Sequence, residues 1–536
     1  MASIPPVTQA TAPTSRLAEI IAVLALATDL ATGQPLEHSL RRALLAVRIG
    51  EDIGLNANEL STAYYVALLG SVGCTIESAA FARFFRDDIA LGEQIVLRDP
   101  TRPWQMAAFL LSRAGEGQAP FQRAKNMASL ALAGPTESQI VCRDVALQLG
   151  EMLDIGAEIR ESLGQCHEHW DGKGGPRKLR GEEISLATRI FLVAHDAEIY
   201  HRVGGVEAAL AVVRQRAGAR YDPSIATHFC ERAEVLLGLL QTEATWEAVL
   251  AAEPAPIRIL LPQELDEILL KVAKFTDLRS AYTVGHSPGV SALAEKAAER
   301  LGLAESEVTS VRRSGLIHDL GRAGVPVALW DKRRALSATE WERMKRHPSL
   351  TELVLARSSA LGHLGTLAGL HHERLDGSGY RGISAASLPL TGRLLSVADA
   401  YQTRLEPRPH REAMTPDAAA QDILGLSREG CLDGDAVLAV LAAAGRSHQA
   451  RRRDNPAGLT DREVDVLGLT VHGLSNKQIA EVLFVSPKTV GHHIQHIYNK
   501  IGVSTRVGAT LFALDHGLEL RGEASARDVS LKEAGR

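Results

Sequence analysis

The chain has 536 residues, of which 45% are hydrophobic and 23% charged, and this length predicts several domains rather than one core. Its formal net charge of −5 excludes a globally basic protein that binds nucleic acid through its overall field. Five scattered cysteines without a CxxC pair argue against a disulfide framework. The apolar run "IIAVLALA" is too short to span a bilayer and lacks the basic flank of a signal peptide. We expect a soluble, cytoplasmic protein without membrane association.

The N-terminal 15 residues are rich in Pro and Thr and are expected to be disordered. Leu- and Ala-rich segments with helical spacing follow. In "VSALAEKAAERLGL" the apolar residues recur on one face of a helix, namely Val290, Leu293, Ala294, Ala297 and Leu301. Alternating β-branched runs are rare, and aromatic residues make up only 4% of the chain. The sequence therefore predicts an all-α protein.

Two polar stretches that contain proline divide the helical region. "AAEPAP" (251–256) ends the first block of helices, and "RSHQARRRDNPAG" (446–458) ends the second. The predicted organisation is a disordered tail (1–15), a first helical domain (16–250), a linker (251–262), a second helical domain (263–445), an Arg-rich linker (446–457), a compact C-terminal domain (458–522) and a charged tail (523–536).

The two helical domains share landmarks in the same order. "EHSL" contains His38 and "GHSP" contains His286, and the same offset relates "EDIGL" (51–55) to "ERLGL" (299–303). "CHEHWDGKGG" (166–175) corresponds to "HHERLDGSGY" (371–380). "ATRIFLVAHDA" corresponds to "TGRLLSVADA", so that His195 matches Asp399. This order favours duplication and divergence of one helical domain over chance similarity of two Ala- and Leu-rich regions.

The second copy contains a series of imidazoles and carboxylates that suits divalent Fe, Mn, Ni or Zn. A lone histidine is usually a surface residue or a hydrogen-bonded core residue, but adjacent buried imidazoles and carboxylates give a helical core no benefit. A short carboxylate can bridge two ions about 3.5–4 Å apart, and two ions acidify a bridging water and neutralise a phosphate under attack. The candidate ligands are His286, His318, Asp319, His347, His371, His372 and Asp399.

Residues 263–445 resemble the HD-GYP family of HD-domain metal phosphohydrolases. The resemblance rests on "HS", "GLIHDLG", "HP", "HHERLDGSGY", "VADA" and "RPHR". It implies an all-α fold, a centre of two or three metal ions, and hydrolysis of a phosphodiester, typically cyclic di-GMP. Carried over by position, the seven candidate ligands hold the ions, Asp319 bridges them, and Arg322 stabilises developing negative charge. The resemblance also implies a substrate loop formed by Asp376, Gly377, Gly379 and Tyr380.

The chain departs from the family pattern around these ligands. Arg322 replaces a lysine, and Arg381 replaces the proline that normally follows Tyr380. Tyr282 replaces the glutamate of members with three ions, so we expect two ions. Ser280 and Gln402 each replace an aspartate. The ligands of the ions are thus nearly intact while the substrate side has diverged, so a nucleotide second messenger or another phosphodiester is the expected ligand.

The first copy lacks the central pair of ligands, because Gly70 and Ser71 stand where the second copy has His318 and Asp319. Loss of the bridging aspartate predicts a non-catalytic copy that supports the second copy or senses a ligand. An alternative is one zinc ion, for which the candidate ligands are His38, Cys142, Cys166, His167 and His195.

The C-terminal segment 459–517 has the pattern of a helix-turn-helix. "NKQIAEVL" reads as the first helix and "FVS" as the turn. Ser486 is a good N-cap and Pro487 suits the first helical position of the second helix. In this motif the second helix enters the major groove. A helical oligomerisation module is the alternative.

This segment resembles the LuxR-type DNA-binding domain through "LTDREVDVL", "GLSNKQIA", "SPKTV" and "NKIGV". The resemblance implies four helices and a homodimer on DNA. Basic and acidic residues are balanced in the segment, and Gly491 stands where members often have a larger contacting residue. The expected DNA contacts are Lys477, Lys488 and Lys500 to phosphates, His492 and Gln495 to bases, and the exposed Thr489.

Three hypotheses remain open from the sequence. The first is a transcriptional regulator whose effector half binds and hydrolyses a phosphodiester. The second is a DNA-binding regulator whose HD domains only sense a ligand. The third is an enzyme with a vestigial helix-turn-helix.

Overall fold

The computed structural model describes residues 15–76, 84–116, 119–238, 240, 245–446, 456–471, 473–483, 485–516 and 518. It divides into two compact units, Met1–Arg446 and Ser447–Arg536. The predicted C-terminal tail, most of the predicted N-terminal tail and the three consecutive arginines of the predicted second linker lie outside the described residues. Among the described residues, no helix combines the length and the hydropathy needed to cross a membrane.

The first half of the larger unit is built mainly from helices. Its helices are α1 (Leu17–Ala31), α2 (His38–Asp52), α3 (Ala57–Leu69), α4 (Asp88–Ile95), α5 (Pro103–Arg113), α6 (Pro120–Met152), α7 (Ala157–Leu163), α8 (Leu186–Arg216), α9 (Pro223–Gly238) and α10 (Thr245–Ala251).

The second half of this unit is also built from helices. They are α11 (Pro262–Asp277), α12 (His286–Arg300), α13 (Glu305–Ile317), α14 (Val327–Trp330), α15 (Ala338–Met344), α16 (His347–Leu355), α17 (Gly362–Ala368), α18 (Leu390–Leu405), α19 (Pro416–Arg428) and α20 (Gly434–Ala443). A 3-10 turn at Leu320–Gly324 connects α13 to α14. The all-α prediction is confirmed.

The smaller unit has its own core, which is built around Val464, Leu467, Ile479, Val490 and Ile497. Its helices are α21 (Asp461–Val471), α22 (Asn476–Leu483), α23 (Pro487–Ile501) and α24 (Arg506–Asp515). The side chain of Ser486 accepts a hydrogen bond from the backbone N–H of Thr489 at 3.1 Å. This contact is the predicted N-cap of the second helix of the motif.

One hydrophobic core in the larger unit includes residues of both copies. The largest buried cluster runs from Leu17 to Leu364 without a break at the predicted linker. Helix α1 is the reason, because nearly all its residues are buried and a helix that is apolar on every side must be covered on every side. It packs against the Leu320–Gly324 turn and α16 as well as α2 and α3. The rest of the second copy has a separate core, which is built around residues such as Val290, Leu394, Tyr401 and Val440.

The start of the chain is ordered one residue earlier than predicted. Ser15 belongs to β1 (Ser15–Arg16), which pairs antiparallel with β2 (Ile259–Leu260). The backbone N–H of Leu17 continues the pairing by donating to the carbonyl of Arg258 at 2.9 Å. Composition predicted disorder for Ser15, but these long-range backbone hydrogen bonds and its burial hold it in place. The predicted linker 251–262 is thus part of the folded unit.

The same local structure begins the site helix in each copy. Helices α2 and α12 begin at His38 and His286, and the residue before each has a positive φ. The Ser39 hydroxyl donates to Asp29 at 2.6 Å, and the Ser287 hydroxyl donates to Asp277 at 2.7 Å. Duplication of one ancestral domain explains this agreement, because both copies then keep the same start of this helix. Both histidines are thereby placed at the buried end of their helix.

Candidate metal centre

The predicted ligands lie at the ends of helices that meet in the second copy. His286 begins α12, and His347 begins α16. His318 follows the end of α13, and Asp319 precedes the Leu320–Gly324 turn. A glycine is required in this turn, because a Cβ on Gly321 would lie 2.1 Å from the carbonyl oxygen of His347. This close approach brings the His318–Asp319 pair to the start of α16.

Asp319 lies at the centre of the cluster. Its Oδ2 atom is 3.6 Å from His318 Nε2 and 3.7 Å from His286 Nε2. Its Oδ1 atom is 3.5 Å from His347 Nε2 and 3.7 Å from His371 Nε2. Each carboxylate oxygen thus faces a different pair of imidazoles. This is the arrangement that a bridging carboxylate needs.

Backbone carbonyls set the orientation of three imidazoles. The Nδ1–H groups of His318, His347 and His371 donate to the carbonyls of Gly315, Met344 and Ala368, at 2.8, 2.8 and 2.6 Å. These bonds assign the proton to Nδ1 and leave Nε2 as a lone-pair donor. His318 Nε2 is buried and has no hydrogen-bond partner among the described residues. An unsatisfied buried nitrogen in such a cluster fits a metal ligand.

Asp399 completes the cluster from α18. Its Oδ1 atom is 3.2 Å from His286 Nε2, and its Oδ2 atom is 3.4 Å from His372 Nδ1. Two groups of donor atoms close enough to share an ion result: His286, His318 and Asp319 form one, and His347, His371 and His372 form the other. The structure therefore brings all seven predicted ligands together, and the donor set fits two ions.

The charges of the cluster also suit metal binding. Burial lowers the pKa of His347 to about 3 and that of His371 to about 4, so both rings are neutral at pH 7. Burial would raise the pKa of Asp319, but the neighbouring histidines and Arg322 hold it well below its usual range. Metal ligands must be deprotonated. His347, His371 and Asp319 meet this requirement, whereas the pKa of His286 is lowered by burial but raised overall to about 10 by its contacts with Asp399 and Glu406.

Arg322 contacts Asp319 directly. Its Nη1 donates to Asp319 Oδ2 at 2.9 Å, and its guanidinium lies 3.7 Å from the centre of the Trp330 ring. The planar guanidinium stacks on the ring while it holds the carboxylate, which a lysine ammonium cannot do in the same geometry. Trp330 was not predicted from sequence. The arginine that replaces the family lysine is the signal that could have directed attention to a stacking partner.

The predicted substrate loop borders the cluster through Tyr380. The Tyr380 ring centre is 4.3 Å from that of His372. Asp376 shapes the turn by accepting hydrogen bonds from the backbone and hydroxyl of Ser378. Gly377 has a φ of +76°. A Cβ on Gly379 would lie 2.6 Å from Glu373 Cα, so glycine is required where the loop folds back.

Two acidic residues outside the predicted set support the ligands. Glu406 accepts a hydrogen bond from His286 Nδ1 at 3.0 Å, which orients the ring that faces Asp319. Glu373 accepts from the backbone N–H groups of Arg381 and Ile383, both at 2.9 Å, and so closes the loop. Glu168 accepts from Arg177 and Leu179 in the same way in the first copy. Both motifs contain "HE", and this shared glutamate could have predicted that Glu168 and Glu373 close their loops.

The first copy fills the equivalent space with a cation of its own. Arg42 is fully buried. Its Nη1 donates to the Ser71 hydroxyl at 2.8 Å and lies 3.0 Å from His195 Nδ1. Ser71 and His195 are the counterparts of Asp319 and Asp399. His38 hydrogen bonds to Glu198 and contacts His195. Neither His38 nor His195 joins a group of metal donors among the described residues.

The predicted DNA contacts divide into two groups in the smaller unit. Lys488, Thr489, His492 and Gln495 are exposed along α23, and Lys477 is exposed on α22. Lys500 is different, because its ammonium donates to Glu463 at 2.7 Å and to the carbonyl of Gly458 at 3.1 Å. The helix thus presents one polar face, while Lys500 also anchors its end to the rest of the unit.

Each of the two units matches the model of a known protein family. An HD domain model matches residues 90–225 and 265–435, which together exceed half of the chain. A model of the luxR family of bacterial regulatory proteins matches residues 457–513. The first HD match falls in the copy that lacks the central ligands. Both copies are therefore HD domains, and the HD family of phosphodiesterases is metal-dependent.

Individual relatives support the same assignment. A 3′3′-cGAMP-specific phosphodiesterase 3 of Vibrio cholerae is 29% identical over 414 residues, which cover 75% of this chain and 89% of the relative. A cyclic di-GMP phosphodiesterase response regulator of Xanthomonas campestris is 36% identical over 156 residues, which cover 28% of this chain and 41% of the relative.

A solved structure shares the fold. The crystal structure of a cyclic GMP-AMP-specific phosphodiesterase from V. cholerae has a TM-score of 0.56 and 24% identity, and covers 81% of this chain and 98% of that one. The family match, the helical fold and the C-terminal luxR match agree with one another. The chain therefore belongs to the HD-domain family and joins an HD-GYP-like phosphodiesterase domain to a LuxR-type DNA-binding domain.

Proposed function

We propose that the second HD copy is a binuclear metal phosphodiesterase that binds and hydrolyses a cyclic dinucleotide, and that its ligand state controls DNA binding by the C-terminal unit. The observation that carries this proposal is the position of Asp319, whose two oxygens each face a different pair of histidines. The names of the relatives in V. cholerae and X. campestris support a cyclic dinucleotide as the substrate class.

Two divalent ions of the Fe, Mn, Ni or Zn class are the proposed cofactors. His286, His318 and Asp399 hold one side of the site, and His347, His371 and His372 hold the other, with Asp319 shared. Bound ions of this class acidify water and neutralise the negative charge of a phosphodiester. Glu406 and the backbone carbonyls keep the imidazoles oriented for this role.

Arg322 and the loop around Tyr380 are the proposed substrate-facing groups. Arg322 holds Asp319 and carries a fixed positive charge next to the cluster, where it would stabilise negative charge that develops on the phosphate. The Tyr380 ring lies against His372 and offers a flat surface to a base or ribose. Asp376, Gly377 and Gly379 position that ring by setting the turn.

The C-terminal unit is proposed to bind DNA as a homodimer through α23. Lys477 and Lys488 would contact phosphates, while His492 and Gln495 would contact base edges. Binding of a dinucleotide would shift the population of the state that is competent for DNA binding. Reciprocity requires that DNA change the affinity for the dinucleotide by the same factor.

A hydrolysis screen with matched variants tests the enzyme proposal. The full chain, loaded with each metal in turn, is incubated with cyclic and linear dinucleotides, and products are separated by chromatography. Asp319→Ala and His371→Ala should abolish hydrolysis, exceeding the roughly 10–100-fold loss typical of outer partners. His363→Ala is the control, because His363 is an exposed histidine on α17, just before His371.

The same preparation separates the enzyme from a sensor. Binding of a dinucleotide with no hydrolysis by any metal form would leave a regulator with silent HD domains. If the chain holds no transition metal and His318→Ala changes neither binding nor turnover, the enzyme proposal fails. A salt-sensitive, sequence-selective shift of the protein's own promoter region would exclude a vestigial helix-turn-helix.

A further inference from the structure

Three metal-binding side chains come together in the first HD copy, outside the site described above. Cys74, Cys142 and His167 each offer one donor atom, and these atoms lie within 4.8 Å of one another. The two sulfur atoms are 4.0 Å apart, and Cys74 Sγ is 3.9 Å from His167 Nε2. No disulfide links any of the cysteines among the described residues. The cluster is partly buried, with Cys142 the most enclosed member.

The cluster occupies the position of one half of the second copy's site. Cys74 follows Ser71 at the distance at which Arg322 follows Asp319, and His167 corresponds to His372. Cys142 corresponds to His347, and a backbone contact supports this match. A Cβ on Gly73 would lie 2.1 Å from the carbonyl oxygen of Cys142. This is the same approach, at the same distance, that Gly321 makes to His347.

The distances fit a tetrahedral site with little rearrangement. Zinc bound at about 2.3 Å from sulfur and about 2.0 Å from nitrogen places two thiolates about 3.8 Å apart and a thiolate about 3.5 Å from an imidazole nitrogen. The observed separations exceed these values by a few tenths of an ångström. A disulfide would require the sulfur atoms to move to about 2.05 Å. The geometry is thus nearer to metal ligation than to a cross-link.

Other candidate ligands in this copy are engaged elsewhere. The thiol of Cys166 donates to the carbonyl of Ser162 at 3.8 Å. The candidate ligands that the sequence offered for one zinc ion were His38, Cys142, Cys166, His167 and His195. The structure retains two of these, replaces Cys166 with Cys74, and fills the neighbouring half-site with Arg42.

We propose that the first HD copy binds one zinc-class ion through Cys74, Cys142 and His167. Two thiolates and an imidazole select soft or borderline ions and disfavour Mg²⁺, Ca²⁺ and Mn²⁺. Three protein ligands leave a fourth position for water or an external ligand. The first copy, which lacks the ligands of a binuclear centre, then contains a site for one ion with thiolate ligands. Its chemistry differs from that of the second copy, whose donor atoms are oxygen and nitrogen.

Cobalt substitution in the full chain tests this site independently of hydrolysis. Asp319→Ala serves as the background, since it removes the shared ligand of the second copy. Titration with Co²⁺ should give a thiolate-to-cobalt charge-transfer band in the near ultraviolet, and Zn²⁺ should remove the band. Cys142→Ser and Cys74→Ser should abolish the band.

Two controls keep the outcome interpretable. Cys230→Ser should keep the band, because Cys230 lies on α9 and outside the donor group. His167→Gln removes an imidazole that is only half-buried, and should shift the band and weaken Co²⁺ binding even if a cysteine variant fails to fold. The proposal is overturned if no thiolate band forms, if the band survives Cys142→Ser, or if mass spectrometry of freshly reduced protein returns a Cys74–Cys142 disulfide in place of a bound ion. None of these results depends on phosphodiesterase activity.

Discussion

Arg42 donates a hydrogen bond from Nη1 to the hydroxyl of Ser71 at 2.8 Å, and this contact explains how one HD copy lost a metal half-site without leaving a hole. The same nitrogen lies 3.0 Å from His195 Nδ1. Arg42 therefore lies between the counterparts of the two carboxylates that the second copy keeps. In the second copy the counterpart of Arg42 is the apolar Val290. A guanidinium between neutral groups thus lies in the first copy where the second copy has two carboxylates.

Arg42→Val should destabilise the larger unit. It removes hydrogen bonds to Ala67, Ser71 and Ser39, and it leaves the nearby Asp29 carboxylate without a cation. Removing one partner from a buried charge network costs about 3–5 kcal/mol, so we expect a lower Tm by calorimetry. Arg48→Val on the same helix is the control, because the Arg48 side chain is 46% exposed and pairs with Glu51 at the surface. Equal Tm values for the two variants would contradict the role of Arg42.

Restoring the missing motif should not restore the site. A Cβ on Gly70 would lie 2.4 Å from the Phe191 ring, so Gly70→His combined with Ser71→Asp forces the ring and Arg42 aside. We expect a lower Tm and no additional metal ion by elemental analysis. Adding Phe191→Leu should recover part of the lost stability, because Leu395 is the counterpart of Phe191 in the second copy. A double variant that is as stable as the parent and binds an extra ion would show that the first copy remains open to metal.

Asp29 should make the stability of the protein depend on pH. Burial raises the pKa of Asp29 to about 6 from 3.8, against the opposing effects of His38 and Ser39. Because the folded state binds this proton more tightly, the stabilising contribution is complete below about pH 4 and is lost as the pH rises through about 6. Asp29→Asn removes the titration but retains an acceptor for Ser39. The stability of the variant relative to the parent should therefore rise by about 2–3 kcal/mol between pH 4 and pH 7.5.

A pH series of Tm measurements checks this expectation. The Tm of Asp29→Asn relative to the Tm of the parent should fall as the pH falls toward 4. Asp144→Asn is a suitable control, because the Asp144 side chain is 54% exposed and its replacement should give no gap that changes with pH. A relative Tm of Asp29→Asn that instead rises at low pH would mean that Asp29 is stabilised as a carboxylate.

The sequence predicted the clustered histidines and aspartates of the second copy more completely than it predicted their surroundings. His318 and Asp319 could be found because their chemistry is carried by a short local motif. The roles of Arg42 and Cys74 could not, because each depends on a partner that is distant in sequence and is brought close only by packing. Glu406 was missed for a similar reason, since its contact with His286 crosses from α18 to α12. The packing of α1 against both copies was missed because linker composition does not report on the burial of α1.

Lys488 and Lys500 should contribute differently to DNA binding. Lys488 is exposed at the start of α23, so Lys488→Gln should weaken binding to all sequences and reduce the salt slope by about one. Lys500 is held by Glu463 and Gly458. Lys500→Gln should therefore lower the stability of the C-terminal unit, with a smaller change in the salt slope. Fluorescence anisotropy at several salt concentrations measures both, and identical slopes for the two variants would contradict the distinction.

Gly491 and Gly502 on α23 provide a test with effects of opposite sign. Gly491 lies inside the helix, and a Cβ there would meet no atom within 4 Å. Gly491→Ala should therefore stabilise the helix by about 0.5–1 kcal/mol, because alanine has the higher helix propensity. Gly502 ends the helix with a φ of +72°, a conformation that disfavours a side chain. Gly502→Ala should therefore destabilise it by a similar amount.

Hydrogen exchange of the α23 amides in the full chain measures both changes directly. Slower exchange in Gly491→Ala and faster exchange in Gly502→Ala are expected. DNA affinity should not fall in Gly491→Ala, because the added methyl group is small and replaces no contact. Faster exchange in Gly491→Ala would mean that the space beside residue 491 is filled in solution. The glycine would then serve close packing, and a larger side chain could not be introduced there to strengthen DNA contacts.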